Sequence, residues 1–262
     1  MTREPKAQYH RLCRLAATLL AFSLLTGSAS AVTWTVCASG CDYSSIQGAV
    51  AAASSGDTLS LSPETFVEGD IFLDKDLTIA TSSGFAVVDG NGGDYVFEID
   101  EEAIVVLEDL QLKNADHALV GNHGVLLLST VHVLGYGNTT VYGGLVNFWT
   151  GFLRLQDASL VAGNRSTSFG GGITNFGDLE VSASTLMANQ GRRGGAILNL
   201  GGEVVVTSSS LSLNQADVRG GAYSNSQGGT VFVTATASYS GNTASVACDR
   251  YHDIHRTPSC VD

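Results

Sequence analysis

From Ala103 onward, apolar and polar positions alternate over short runs, and the runs return in the same phase. The copies read AIVVLEDLQLKN (103–114), GVLLLSTVHVLGYGN (124–138), GFLRLQDASLVAGN (151–164), GDLEVSASTLMAN (177–189), GEVVVTSSSLSLN (202–214) and GTVFVTATASYSGN (229–242). Their starts lie 21, 27, 26, 25 and 27 residues apart. Between copies sits a second unit: YGGLVNF (142–148), GGGITNF (170–176), GGAILNL (194–200) and GGAYSNS (220–226). Period-two alternation over four or five residues predicts strands. A recurrence of this length predicts a solenoid, because one such unit cannot bury its apolar face without a neighbour. The pairs Leu153/Leu155, Leu179/Val181, Val204/Val206 and Val231/Val233 then form inward columns, with strands of successive coils pairing in parallel about 4.8 Å apart.

Each copy ends on an asparagine: Asn114, Asn138, Asn164, Asn189, Asn214 and Asn242. Asparagine accepts a left-handed backbone at a bend, and its amide pairs with an identical amide one coil away, so the column predicts a ladder. Gly-Gly supplies the other corner, where a Cβ is costly. Upstream, Ile46, Ala49, Val50 and Ala53 share one face of a short helix capped by Ser44 or Ser45. Such a helix suits the open end of the first coil. The expected organisation is an N-terminal cap over 32–58, coils over 59–245 and a C-terminal cap over 246–262. The fold class is all-β, a single-stranded parallel β-helix.

Residues 1–31 read as a signal peptide. Arg3, Lys6, Arg11 and Arg14 precede the apolar run Leu15–Leu25, and Ala29-Ser30-Ala31 follows as a cleavage site. No later run is long and apolar enough to span a bilayer as a helix, so a secreted or surface-exposed protein is expected, without a membrane span after cleavage. Export gives the remaining cysteines, Cys37, Cys41, Cys248 and Cys260, an oxidising compartment. Four cysteines allow three pairings, of which Cys37–Cys41 with Cys248–Cys260 is the simplest.

Composition narrows the function. The net charge is −12, which excludes a general nucleic-acid binder. Charge is also unevenly spread: residues 32–116 hold 16 acids and 2 bases, residues 117–262 hold 8 acids and 7 bases.

The segment CASGCDYSSIQGAVAAASSGDTLSLSPETFVE, with LTI and VVDGNGG after it, resembles the N-terminal cap and first coils of pectin-lyase-like right-handed parallel β-helix proteins. The GG[AG]I-x-N and SxL-x-x-N units resemble repeats of polymorphic outer-membrane and related bacterial surface β-helix proteins. The resemblance covers about 37–245 and implies a right-handed helix. It implies either a non-enzymatic role in binding, adhesion or surface display, or cleavage of an acidic polysaccharide by a lyase or hydrolase. The β-barrel of the outer-membrane relatives is not matched, so a soluble exported monomer is expected, with a polysaccharide or cell-surface partner.

Candidate chemistry is sparse. Aligned repeats place Asp178 beside Glu203, and Arg154 beside Glu180, on one outward face. Paired carboxylates raise one another's pKa and serve as acid and base. Asp89, Asn91 and Asp94 have the look of a calcium loop, although Asp-Gly-Asn-Gly is also ordinary turn chemistry; calcium is the one cofactor the sequence suggests. Phe148, Trp149 and Phe152 cluster near one turn and are the candidates for stacking on a sugar ring.

Overall fold

The computed structural model describes residues 30–135, 139–245, 250–254 and 257–260. Most of the expected leader, Asn138 and the Cys248–Cys260 pairing lie outside the described residues.

The repeats fold as a parallel β-solenoid. A typical coil contributes a five-residue strand, a corner, a three-residue strand, a longer connection and a third short strand. In one coil these are Phe152–Gln156, Leu160–Ala162 and Ile173–Asn175. Like strands of successive coils pair in register, so Leu126 meets Leu153, Leu153 meets Leu179 and Leu179 meets Val204. Among the described residues the result is three long sheets, here A, B and C, of nine, eight and nine strands. A three-stranded ribbon, Gln190–Arg193, Gln215–Arg219 and Thr243–Ala244, bridges the connection between sheets B and C in the later coils.

Alternation explains sheet A directly. Its strands bury every second residue: Val105 and Leu107, Leu126 and Leu128, Leu153 and Leu155, and Val204 and Val206 are inaccessible to solvent. Sheet B adds one inward residue per coil, Val133, Val161, Leu186 and Leu211 in turn. Sheet C adds an aliphatic residue and then an asparagine, such as Leu145 with Asn147 and Ile173 with Asn175.

The asparagine column behaves in part as the sequence predicts. Asn164 donates through Nδ2 to Asn189 Oδ1, Asn189 to Asn214 and Asn214 to Asn242, each at 3.0 Å. Two details differ. The left-handed residue at this corner is the one before the asparagine, at Gly163, Ala188, Leu213 and Gly241. Asn114 is itself left-handed and donates to Asp89 Oδ1 at 2.8 Å, Asp89 being near it on the preceding coil; Asn138, its expected partner, lies outside the described residues. The corner between sheets A and B likewise uses left-handed residues other than glycine, among them Asp109, Thr130, Ala183 and Ser208.

The single helix among the described residues, α1 (Ile46–Ala52), buries Ile46, Ala49 and Val50 against the first coils. Ser45 Oγ accepts from Gly48 N, and the Glu68 carboxylate accepts from Ile46 N and Gln47 N, so side chains satisfy the helix start. Cys37 and Cys41 are disulfide-bonded in the loop before it, with Cα atoms 5.6 Å apart. At the other end, a hairpin of Arg250–Ile254 and Thr257–Cys260 adds to the edge of sheet C. No helix of the described residues is long and apolar enough to cross a membrane.

Candidate functional site

Sheet C departs from simple alternation. Its strands Leu145–Asn147 and Ile173–Asn175 bury all three residues, including the outward Val146 and Thr174. The connections entering the sheet fold back over its outer side. Thr174 Oγ1 donates to the Tyr142 carbonyl at 2.7 Å, and Gly170 lies so close that a Cβ there would stand 3.0 Å from Leu198 Cβ. Tyr95 lies against Gly121 in the same way.

Aromatic rings complete this outer layer. The inward asparagines of sheet C form a second ladder, Asn122 to Asn147, Asn175, Asn199 and Asn225, with every step at 2.8 Å. The residue after each of the first three is a ring: His123, Phe148 and Phe176. One coil apart and in the same phase, they stack. His123 and Phe148 lie 4.1 Å apart at 8°, and Phe148 and Phe176 lie 6.3 Å apart at 4°. Tyr142 and Phe169 enter from the connections, 4.9 Å from each other, and meet Phe148 and Phe176 edge-on. Trp149 sits 4.7 Å from Phe176 and is 58% exposed.

The layer has polar margins. His123 Nε2 is 3.6 Å from Glu98, and His117 Nδ1 is 3.4 Å from Asp94. Burial, then the negative charge of Glu98, pushes the Tyr95 phenol up to about 12, so it stays a neutral hydrogen-bonding group.

Of the predicted sugar-stacking trio, Phe148 and Trp149 belong to this layer and Phe152 does not. Gly151 N donates to the Phe148 carbonyl, closing a turn that carries the chain onto sheet A. Phe152 there lies on the outer face between Val125 and Asp178, with the Arg154 guanidinium 5.5 Å from its ring centre. Tyr142, Phe169, Phe176 and His123 were missed. The signal for His123 and Phe176 is the recurrence of Asn-aromatic in NHG, NFWTG and NFG; Tyr142 and Phe169 instead stand directly before the Gly-Gly units.

The charged residues do meet on the outer face of sheet A. Asp178 pairs in register with Glu203, and Arg154 with Glu180. Arg154 Nε donates to Glu180 Oε2 at 2.7 Å, and its Nη2 reaches the same oxygen. Burial, then Asp178 and Glu180, raises Glu203 above the ordinary carboxylate range. Chemically this is a pair of adjacent carboxylates, one with its pKa raised, and the neighbouring cation is engaged by Glu180.

The calcium candidates face different partners. Burial raises Asp89, but the Asn114 amide, the Asn91 N–H and Lys113 outweigh it and hold the carboxyl low; Lys113 Nζ is 3.1 Å away. Asp94 is turned to His117. Among the described residues, no three His, Cys, Asp or Glu side chains are grouped to hold a metal ion.

No family model and no curated protein matches the chain. Among solved structures it is similar to a PL6-family alginate lyase, AlyGC, at 12% identity and a TM-score of 0.27, covering 86% of this chain. The chain spans 40% of the length of that enzyme.

Proposed function

We propose that this chain is an exported β-helix that binds carbohydrate at or outside the cell surface without cleaving it, using the aromatic layer over sheet C. The observation that carries this is Trp149, left 58% exposed on top of Phe176. Phe176 packs against one side of it, which limits the conformational freedom lost when a ligand stacks on the other. Its negative π face suits the C–H groups of a sugar ring, which carry partial positive charge. The leader-like sequence and the Cys37–Cys41 bond support export. The test is co-sedimentation with insoluble polysaccharides, wild type against Trp149→Ala. Loss of retention with an unchanged melting curve is expected, and equal retention on every glycan overturns the reading.

A second reading, cleavage of an acidic polysaccharide, has one observation in its favour: the raised pKa of Glu203 beside Asp178. Its residues would be Arg154, Asp178, Glu180 and Glu203. Unsaturated products or new reducing ends, abolished by Glu203→Gln, would establish it over the first.

A further inference from the structure

We infer that two copies of this chain associate end to end through the outer edge of the last sheet A strand, Thr230–Val233. The inference is independent of the carbohydrate reading and gives a dimer where the sequence led to a monomer.

The two ends of sheet A are finished differently. At the first strand, Thr33–Val36, the backbone of Thr35 points away from the next coil and is satisfied within the chain. Thr35 N donates to Asp42 Oδ2 at 2.9 Å, and the Thr35 carbonyl accepts from Tyr43 N at 3.1 Å. The loop that carries the Cys37–Cys41 bond thus covers this edge and sets a charge on it, two devices that keep edge strands from pairing. The last strand has neither. Thr230 N donates to the Gly202 carbonyl and Thr234 N to the Val206 carbonyl, both on the preceding coil. By alternation, the N–H and C=O groups of Val231 and Val233 point the other way. No strand of the described residues pairs with that side, and the C-terminal hairpin extends sheet C alone.

The side chains here are uncharged and in part apolar. Residues 220–245 contain no Asp, Glu, Lys, Arg or His. Val233 is in register with the inaccessible Val206, yet is 36% exposed because no further strand covers it. Phe232, on the outer face, is 57% exposed.

A second copy of the same end is the occupant this edge fits. Under a two-fold axis through Phe232, normal to sheet A, the two strands run antiparallel. Val231 of each copy then faces Val233 of the other, and each such pair exchanges both backbone hydrogen bonds. Phe232 falls at the central, non-hydrogen-bonded position, where facing Cα atoms approach to about 4.5 Å and the two rings meet. The valines of the two copies join one apolar interior, and the contact is isologous, closing after two copies. The two-fold also reverses strand direction, which sets the two hairpins on opposite sides of the contact. Head-to-tail stacking is blocked by the loop on the first strand. Two N-terminal ends would repel, since residues 32–116 hold 16 acids and 2 bases.

The experiment is sedimentation velocity of the purified full chain over a concentration series. Wild type is expected to reach about twice 27.2 kDa. Phe232→Lys sets like charges directly opposite each other and should raise the dimer dissociation constant at least about tenfold, with an unchanged circular dichroism melt at low concentration. A second measurement uses oxidised Phe232→Cys and Thr230→Cys. The two-fold brings position 232 against itself but position 230 against position 234, so a disulfide between copies should form through 232, mapped by mass spectrometry, and not through 230. A wild type that stays monomeric at every concentration overturns the inference, as does a dimer that Phe232→Lys leaves intact. Species that grow beyond two copies, or equal cross-linking through 230 and 232, overturn the two-fold pairing.

Discussion

Asn147 and Asn175, 28 residues apart in sequence and both inaccessible to solvent, are joined by a 2.8 Å hydrogen bond from Nδ2 of the first to Oδ1 of the second. Asn147 Nδ2 also reaches the carbonyls of Gly151 and Asp178, and Asn175 passes the pattern on to Asn199. The side chain thus closes the turn between sheets C and A on its own coil and ties it to the next.

Truncating a middle rung orphans donors and acceptors on both neighbours. Asn175→Ala should cost about 2–3 kcal/mol, near the upper range for buried groups left unsatisfied. Chemical denaturation measures this. A loss below about 0.5 kcal/mol would show that water satisfies the exposed rungs.

The Arg154–Glu180 pair has good geometry, but both side chains are more than one-third exposed. Solvent screening limits such a pair to about 0–1 kcal/mol. Arg154→Ala should accordingly shift the denaturation midpoint little, and a larger loss would show that Phe152 depends on the guanidinium stacked above it.

Glu203 and Asp57 should give pH dependences of opposite sign. Burial, Asp178 and Glu180 raise Glu203, so the folded state holds that proton more tightly than the unfolded state. Its contribution is complete below the ordinary carboxylate pKa and is lost as pH rises through the raised value. Asp57 accepts hydrogen bonds from Val32 N, Ser54 N and Trp34 Nε1, which lower its pKa. Its contribution is present above the ordinary value and is lost as pH falls through the lowered one. Melting temperature against pH should lose, in Glu203→Gln, the decline that sets in as pH rises past the ordinary carboxylate pKa, and in Asp57→Asn part of its acid-side decline. Curves unchanged from wild type would contradict both assignments.

The Cys37–Cys41 bond closes a very short loop, so chain entropy limits its stabilisation to about 2 kcal/mol. Cys41→Ser should leave the coils folded, with the loss read from denaturant midpoints. Collapse of the whole solenoid would mean that this loop holds the first coil closed.

Trp149 should report on ligand directly. In a Trp34→Phe background it is the sole tryptophan, and stacking of a sugar should change its emission. The same titration with Phe176→Leu should bind more weakly, because Trp149 loses the ring it rests on.

The repeat period and the alternation in each sheet A strand were legible in the sequence because both are local. Side-chain direction in a strand follows from position alone, and parallel stacking follows from identical phases. That is why Asp178 could be set beside Glu203, and Arg154 beside Glu180, from the aligned copies. Asn147, Asn175, Asn199 and Asn225 stood in the recurring glycine-rich units, and only closure of the coils made them a ladder. The aromatic layer was decided by tertiary structure as well. Its rings come from separate coils and connections, and their contacts depend on loops folding back over sheet C. Phe152, three residues after Trp149, was sent to another face by the turn at Gly151. The same limit applies to the ribbon between sheets B and C, where a shift in strand register, invisible to periodicity, brings Arg193 opposite Arg219. Local pattern determined which residues face inward on the regular strands; packing between coils decided which of the outward ones meet.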